Sequence, residues 1–164
     1  MKIFWLGLAL LFSAHAWAAP AGISGRAWVV IDQASGRELA AHQADLPLAP
    51  ASLTQLMTAY VLFGDIRKGR LNLGETLTVP EVATEIDGAR AFLKAGDQIS
   101  VDTLLQAMLV QSAGDAILAL VTAADGGEAV FGGRRNREAK RLGLNKTRFM
   151  NAPAPTAPGH VSSG

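Results

Sequence analysis

Ser52 is the side chain whose position best suits a nucleophile. It stands in segment 50–57, PASLTQLM, after a proline and ahead of an apolar helical run. At a helix start the backbone N–H groups lack partners and the helix dipole favours negative charge, so an activated hydroxyl would be stabilised there. A serine also needs a base, and a side chain three residues on could reach its hydroxyl along the same face. That residue is Gln55, whose carboxamide takes up no proton near neutral pH.

Ser52 and Gln55 also fit a purely structural pattern. Ser-x-x-Gln ahead of an apolar run is a capping box, in which the serine oxygen accepts a hydrogen bond from a backbone N–H and the glutamine side chain bonds back to the N–H of the serine. On these residues alone the cap is favoured, and a nucleophile is the alternative.

A helix must position Ser52, and the surrounding sequence predicts one. The residue before a proline is pushed away from helical angles, so Pro47 and Pro50 bracket an extended connection and a helix begins only after Pro50. Apolar residues then recur with the spacing of a helix packed on one side, until Gly64 and Gly69 end or loosen it. The predicted buried face is Leu53, Leu56, Met57, Tyr60 and Val61.

Further elements are predicted from hydrophobic periodicity and from turn residues. In the second buried helix, the predicted inner face is Leu104, Leu105, Met108 and Leu109. The predicted ranges are 26–32 and 37–41 for a β-hairpin, 71–79 and 91–101 for short strands with turns, 101 to about 114 and 116–124 for buried helices, 138–142 for part of an amphipathic helix, and about 152–164 for a proline-rich loop or frayed tail.

The N-terminus predicts export. Met1 and Lys2 precede an apolar run over 3–12 and small residues ending at Ala18, which is the order of a secretory signal peptide. Cleavage after Ala18 would leave one domain, residues 19–164. The apolar run is shorter than the roughly 20 residues that a bilayer requires, so no membrane anchor is expected in the chain after cleavage. The predicted location is the periplasm.

Composition narrows the partners and cofactors. The chain has 15 Lys+Arg against 14 Asp+Glu, so nothing indicates a nucleic-acid partner. Basic residues cluster between 134 and 148, where a solvated helix face plus a loop is favoured over a patch for anionic lipid or polymer. The chain has no cysteine, and His42 and His160 lie far apart without ligands at metal spacing. Surface or loop histidines are therefore expected, with neither metal nor cofactor.

The segment around Ser52 resembles the first catalytic motif of the penicillin-recognising D-alanyl-D-alanine carboxypeptidases, the low-molecular-mass penicillin-binding proteins. The resemblance implies that Ser52 takes the acyl-ester nucleophile position and that Gln55 stands where the family has a lysine base. The similar segments span nearly the whole mature chain and are 50–61, 90–93, 101–105, 108–116, 142–144 and 158–160.

The same resemblance aligns the second family motif, Ser-x-Asn, with residues 112–114. Ser112 then takes the proton-shuttle position, and Gly114 stands where the family has an asparagine that holds the substrate. The third motif, Lys-Thr-Gly on an edge strand, has no counterpart in the chain. Residues 146–148, Lys-Thr-Arg, lack the glycine and are assigned to a loop.

The fold that the resemblance implies is α+β, the N-terminal part of the penicillin-binding-protein and β-lactamase transpeptidase-like fold. It would comprise a helical cluster plus part of an antiparallel sheet, with the C-terminal strands missing, and it would fold poorly alone. In the family, the serine attacks the penultimate D-alanine carbonyl of a peptidoglycan stem peptide, terminal D-alanine leaves and water resolves the acyl-enzyme, while β-lactams trap the same serine.

Gln55, Gly114 and the absent third motif predict a catalytically impaired copy of such an enzyme. One alternative is a non-catalytic periplasmic module that binds peptidoglycan or a partner. The other is a non-functional gene fragment.

Overall fold

The computed structural model describes residues 22–150 and 158–163. The predicted signal peptide and its cleavage site lie outside the described residues. The chain divides into an N-terminal unit that ends at Ala44 and a larger unit, Asp45–Ser163. Among the described residues no single helix is long and apolar enough to cross a bilayer; one pair of helices bent by 84° satisfies those criteria jointly.

The N-terminal unit contains the predicted β-hairpin. Strands β1 (Trp28–Ile31) and β2 (Glu38–His42) pair antiparallel, with an irregularity between Val30 and Ile31. The Asp32 carboxylate accepts a hydrogen bond of 2.7 Å from the backbone N–H of Ser35 and closes the turn. Hydrogen bonds from the Ser35 side chain and backbone lower the pKa of Asp32. The sequence prediction of a hairpin with a short loop is therefore confirmed.

The described part of the larger unit contains four α-helices and one two-stranded sheet. The elements in order are α1 (Thr54–Arg67), β3 (Thr76–Thr78), β4 (Gln98–Ser100), α2 (Val101–Gln111), α3 (Gly114–Asp125) and α4 (Glu128–Arg141). Strands β3 and β4 pair antiparallel with Leu77 opposite Ile99. The mixture of helices and small antiparallel sheets confirms the α+β class.

Helix α3 lies at the centre of the core, because every residue from Gly114 to Val121 is buried. A helix that is apolar all round has no face to give to water and must be enclosed by its neighbours. Helix α2 begins where the Ser100 hydroxyl accepts a hydrogen bond of 3.2 Å from the N–H of Thr103, a normal side-chain cap. The predicted buried helices over 101–114 and 116–124 are confirmed, although Leu109 is 41% exposed.

The predicted buried face of α1 is wrong in part. Met57 and Val61 are buried, whereas Leu53, Leu56 and Tyr60 are exposed. Apolar residues surround most of this helix, so their spacing does not select one face. Two threonines replace the expected leucines inside because their hydroxyls have partners there. The buried residues of α1 are Thr54, Met57, Thr58, Ala59, Val61, Leu62 and Asp65.

The C-terminal segment is more ordered than the predicted frayed tail where the structure describes it. The N–H of Leu48 donates to the carbonyl of Ser162 at 2.8 Å, and the N–H of Arg148 donates to that of Val161 at 2.8 Å. Residues 151–157, which include two of the prolines behind the prediction, lie outside the described part. Backbone pairing of Val161 and Ser162 therefore holds this segment against two distant parts of the same unit.

Candidate active site

A cavity of about 370 Å³ at the N-terminal end of α1 contains all four residues that the sequence singled out. Ser52 and Gln55 come from the start of the helix, and Ser112 and Gly114 come from the junction between α2 and α3. Residues 60 positions apart thus line one space. The other lining residues are Ala51, Thr54, Ile86, Asp87, Gly88 and Ala89.

Ser52 lies in a 3₁₀ turn, Ala51–Leu53, that runs directly into α1. The capping-box prediction is wrong: Leu53 occupies the N-cap, and no side chain caps either helix. Backbone carbonyls accept the first N–H groups instead. The N–H of Leu53 donates to the carbonyl of Pro50 at 3.0 Å, and the N–H of Thr54 donates to the carbonyl of Ala51. The Ser52 side chain is consequently exposed and is not used as a cap.

Two residues at the cavity have a left-handed backbone although neither is glycine. Ala51 precedes Ser52 and has φ of 49°, and Ser112 ends α2 with φ of 56°. Such conformations cost free energy in residues with a Cβ and are concentrated at functional sites. At both ends of the cavity the surrounding fold thus holds a strained residue in place.

Gly114 leaves space that a neighbouring side chain takes up. A Cβ built at this position would overlap Ile86 Cδ1. The N–H of Gly114 donates to the carbonyl of Ala89 at 2.9 Å, which holds the 86–89 segment against the start of α3. An asparagine at 114 could be accommodated only if Ile86 changed its rotamer or size.

Asp115 is a structural residue of the site that the sequence reasoning missed. Its side chain is buried, and its carboxylate accepts hydrogen bonds of 3.0 Å from the backbone N–H groups of both Ala91 and Leu93. It also accepts one of 2.9 Å from the N–H of Ala116. An acidic residue in the first turn of an apolar helix is the signal that could have drawn attention to it.

His160 lies in a loop, as one form of the prediction had it, but it is not a surface residue, because it is only 1% exposed. Its Nδ1 accepts a hydrogen bond of 3.1 Å from the N–H of Met150. The neutral ring therefore carries its proton on Nε2, which donates to Thr54 Oγ1 at 2.7 Å. Burial, together with the charge of Arg135, lowers the pKa of His160. Because Thr54 lines the cavity, the hydrogen bond from His160 helps to hold one of the cavity's lining residues in place.

Arg135 is a second correction, because it was expected on a solvated helix face and is fully buried. Its guanidinium pairs with Glu128, donates to Thr58 Oγ1 at 3.3 Å, and lies 5.8 Å and 5.7 Å from the ring centres of Phe131 and Phe149. Burial raises the pKa of Glu128 to about 7 despite the arginine. Helix periodicity cannot reveal a buried arginine, because the spacing of apolar residues does not show which acidic side chain will pair with it.

The cavity offers three hydroxyls, those of Ser52, Thr54 and Ser112, together with a carboxamide and the exposed carboxylate of Asp87. Of the described residues that line it, none carries an amine, a guanidinium or an imidazole. Three or more His, Asp or Glu side chains in a metal-binding arrangement are not found within residues 22–150 and 158–163. The arrangement can present a serine to a substrate, but its described lining residues include no amine or imidazole that could take up the serine proton.

Sequence relatives identify the family of the chain. The profile of the D-alanyl-D-alanine carboxypeptidase family, peptidase S11, matches residues 14–164. The D-alanyl-D-alanine carboxypeptidase DacC of Escherichia coli K12 is 37% identical over 158 residues, which cover 93% of this chain and 40% of the relative. DacF of Bacillus subtilis is 32% identical and is covered over 35% of its length. The chain thus spans about two fifths of these relatives.

Solved structures share the fold. Penicillin-binding protein 5 from Haemophilus influenzae superposes with a TM-score of 0.84 at 30% identity, over 89% of this chain and 43% of that one. Penicillin-binding protein 6B from Escherichia coli gives 0.84 at 33% identity, over 91% and 49%. The expected penicillin-binding-protein fold is therefore confirmed. Taken with a cavity that gathers Ser52, Gln55, Ser112 and Gly114, these matches establish that the chain belongs to the D-alanyl-D-alanine carboxypeptidase family.

Proposed function

We propose that this protein presents Ser52 to D-Ala-D-Ala stem peptides of peptidoglycan, as a carboxypeptidase of its family would, but acylates slowly or not at all. The observation that carries the proposal is the cavity shared by the four family positions. Ser52 is exposed within it and is not used as a helix cap. The same cavity would admit a β-lactam.

Acylation at this site would form a bond between Ser52 Oγ and the carbonyl carbon of the penultimate D-alanine. The bond to terminal D-alanine would break, its nitrogen would take up a proton, and water would later hydrolyse the ester. Proton removal from the serine is the difficult step, because Gln55 accepts none. General-base help is worth about 10²–10⁴ in rate, so its loss alone would make the reaction slow.

Gly114 weakens the second half of the site. Without a side chain amide at 114, a substrate loses one positioning contact, and Ile86 presents a methyl group in that space instead. Effects of residues that act as a unit do not add, so the losses at 55 and 114 need not multiply. A non-catalytic module that binds peptidoglycan or a partner is the second candidate, because such a module would need neither a base at position 55 nor an amide at position 114.

The test is acylation by benzylpenicillin, read as an intact-mass adduct. We expect little or no adduct on the wild-type protein and a measurable one on Gln55→Lys. The triple variant Gln55→Lys/Gly114→Asn/Ile86→Ala should react faster than Gln55→Lys alone, since it restores the amide and the space it needs. Ser52→Ala in each background is the control and must abolish the adduct.

Two results would contradict the proposal. A rapid stoichiometric adduct on the wild-type protein would show that Gln55 does not impair acylation. An adduct that survives Ser52→Ala would place the nucleophile elsewhere.

We also propose that the protein is exported to the periplasm, on the charged, apolar and small-residue order of residues 1–18. Expression of the full chain followed by intact mass of the periplasmic fraction tests this. Recovery there of a product beginning at Ala19 is expected, whereas retention of Met1 on cytoplasmic protein would contradict it.

A further inference from the structure

A second and larger groove lies at the other end of α1, between that helix and α4. Its volume is about 540 Å³, and it is separate from the cavity around Ser52, with which it shares no lining residue. Tyr60 and Phe63 form an apolar side, each less than half exposed. The charged lining residues are Asp65, Arg67, Lys68, Arg70, Arg134, Arg137, Glu138 and Arg141.

Positive charge dominates this groove, because six of those side chains are cationic and two are carboxylates. Asp65 is buried and shared, pairing with Arg70 and accepting from Arg134 at 2.6 Å. Burial opposes ionisation of Asp65, but hydrogen bonds from Arg134 and Arg70 outweigh it and hold its pKa below the usual value. The carboxylate of Asp65 is thus already paired with Arg70 and Arg134 and holds both arginines in place.

The remaining carboxylate is also occupied. Arg141 donates to Glu138 at 2.7 Å and to the hydroxyl of Tyr60 at 2.6 Å, so this arginine is held at the rim. Among the described residues, Arg67, Lys68 and Arg137 make no ion pair. Three exposed cations therefore surround a groove whose own acids are already paired.

A phosphate group is the ligand whose chemistry best fits such a site. Guanidinium groups offer planar pairs of N–H donors that match the oxygens of a phosphate, and charge-assisted bonds of this kind are about twice as strong as neutral ones. Arginines from two helices approach the groove from different sides, which suits an anion with three acceptor oxygens better than a planar carboxylate. Tyr60 and Phe63 provide apolar contact for whatever carries the phosphate.

We propose that the groove between α1 and α4 is a binding site for a phosphate group, carried by a lipid headgroup or by a soluble phosphate compound. The site is independent of the serine chemistry at the opposite end of α1. It gives Arg134, Arg137 and Arg141 of the basic stretch 134–148 a role beyond a solvated helix face.

The test compares two double variants with the same change in net charge. Arg67→Glu/Arg137→Glu removes two cations of the groove that make no ion pair, and Lys94→Glu/Lys140→Glu removes two exposed cations outside it. Pyrophosphate is titrated by calorimetry, and co-sedimentation is measured with vesicles of phosphatidylglycerol and phosphatidylcholine against phosphatidylcholine alone. Circular dichroism of each variant verifies that it is folded.

We expect the wild-type protein to bind at least one probe and the groove variant to lose about tenfold or more in affinity, since two cationic donors are replaced by carboxylates that repel a phosphate. The control variant should stay within about twofold of the wild type, which is under 0.5 kcal/mol. Pyrophosphate binding would indicate a soluble ligand, and vesicle binding alone a lipid headgroup. Equal losses in both variants, or binding of neither probe, would overturn the proposal.

Discussion

The two ends of α1 carry opposite kinds of site. At the N-terminal end, the cavity around Ser52 has no cation among its described lining residues. At the C-terminal end, the groove around Asp65 concentrates six cations. Both lie on the same helix and are open to solvent. The comparison teaches that one helix can carry a cavity lined by serines and a carboxamide at one end and a groove lined by cations at the other, with no lining residue in common.

Removing the shared carboxylate at the charged end should have the largest effect. Asp65→Asn leaves Arg70 without its partner and Arg134 with Asp125 alone. Loss of one partner of a buried ion pair costs about 3–5 kcal/mol, and the lower end is expected here because Arg134 keeps a carboxylate. Urea unfolding measures the change.

The matched variant at the cavity end is Asp87→Asn, which is exposed and should shift the unfolding free energy by less than about 0.5 kcal/mol. If the two variants were equally stable, the charged end would not depend on Asp65, and the contrast between the ends would fail.

Thr54→Val tests whether the cavity end depends on a buried neutral hydrogen bond. The change leaves the Nε2–H of His160 without its acceptor, and an unsatisfied buried donor costs about 1–3 kcal/mol. The free energy of unfolding should fall by that amount. Thr76→Val, at an exposed site in β3, is the control. A Thr54→Val protein as stable as the wild type would mean that the bond to His160 contributes nothing.

The pH dependence of stability should reveal the titration of Glu128, which pairs with the buried Arg135 in α4. The folded-state pKa of Glu128 is raised to about 7 from an ordinary value of 4.5. Between those values the folded state binds the proton more tightly than the unfolded one, so the contribution of Glu128 to stability is full below 4.5 and is lost as pH rises through 7.

Glu128→Gln removes this group and should make stability less dependent on pH over that interval. Asp65 has the opposite sign, since its lowered pKa contributes stability that disappears on acidification. Urea unfolding at several pH values measures both. An unchanged slope between pH 4.5 and 7 in the Glu128→Gln protein would contradict the raised pKa.

The smallest effect is expected on the exposed side of α1. Leu56→Ala should change the unfolding free energy by less than about 0.5 kcal/mol, because the side chain is 61% exposed. Leu62→Ala, at a fully buried position of the same helix, should cost about 2–5 kcal/mol. Thermal or urea unfolding measures both, and similar losses for the two would show that Leu56 is enclosed in solution.

Local patterns were sufficient to predict most of the elements. The hairpin, the start of α1 after Pro50 and the apolar core helix α3 follow from turn residues, proline geometry and continuous hydrophobicity. The family resemblance, and not periodicity, identified Ser112 and Gly114 as partners of Ser52. The shared cavity depends on contacts between segments far apart in the chain, which spacing within one segment cannot encode.

The errors in predicted burial share a physical cause. Arg135 and His160 are polar residues made compatible with burial by specific partners, Glu128 and Thr54, and no local pattern reports such a pairing. The face of α1 was wrong for the same reason, because Thr54 and Thr58 are buried through their hydrogen bonds. The expectation that residues 19–164 fold poorly alone stays a prediction, and the wild-type unfolding curve that each comparison requires will test it.

The carboxylate of Asp115 should couple the hydrogen-exchange kinetics of two segments that differ in secondary structure. Its oxygens hold the amide protons of Ala91 and Leu93, which belong to a loop, from the first turn of the most buried helix. Exchange of these amide protons with deuterated solvent requires the hydrogen bonds to open. Both amides should therefore be protected from exchange, although the neighbouring residues Arg90 and Phe92 are exposed. The loop beside the serine cavity would thus open only when the start of α3 opens, so its opening would be coupled to that of the core.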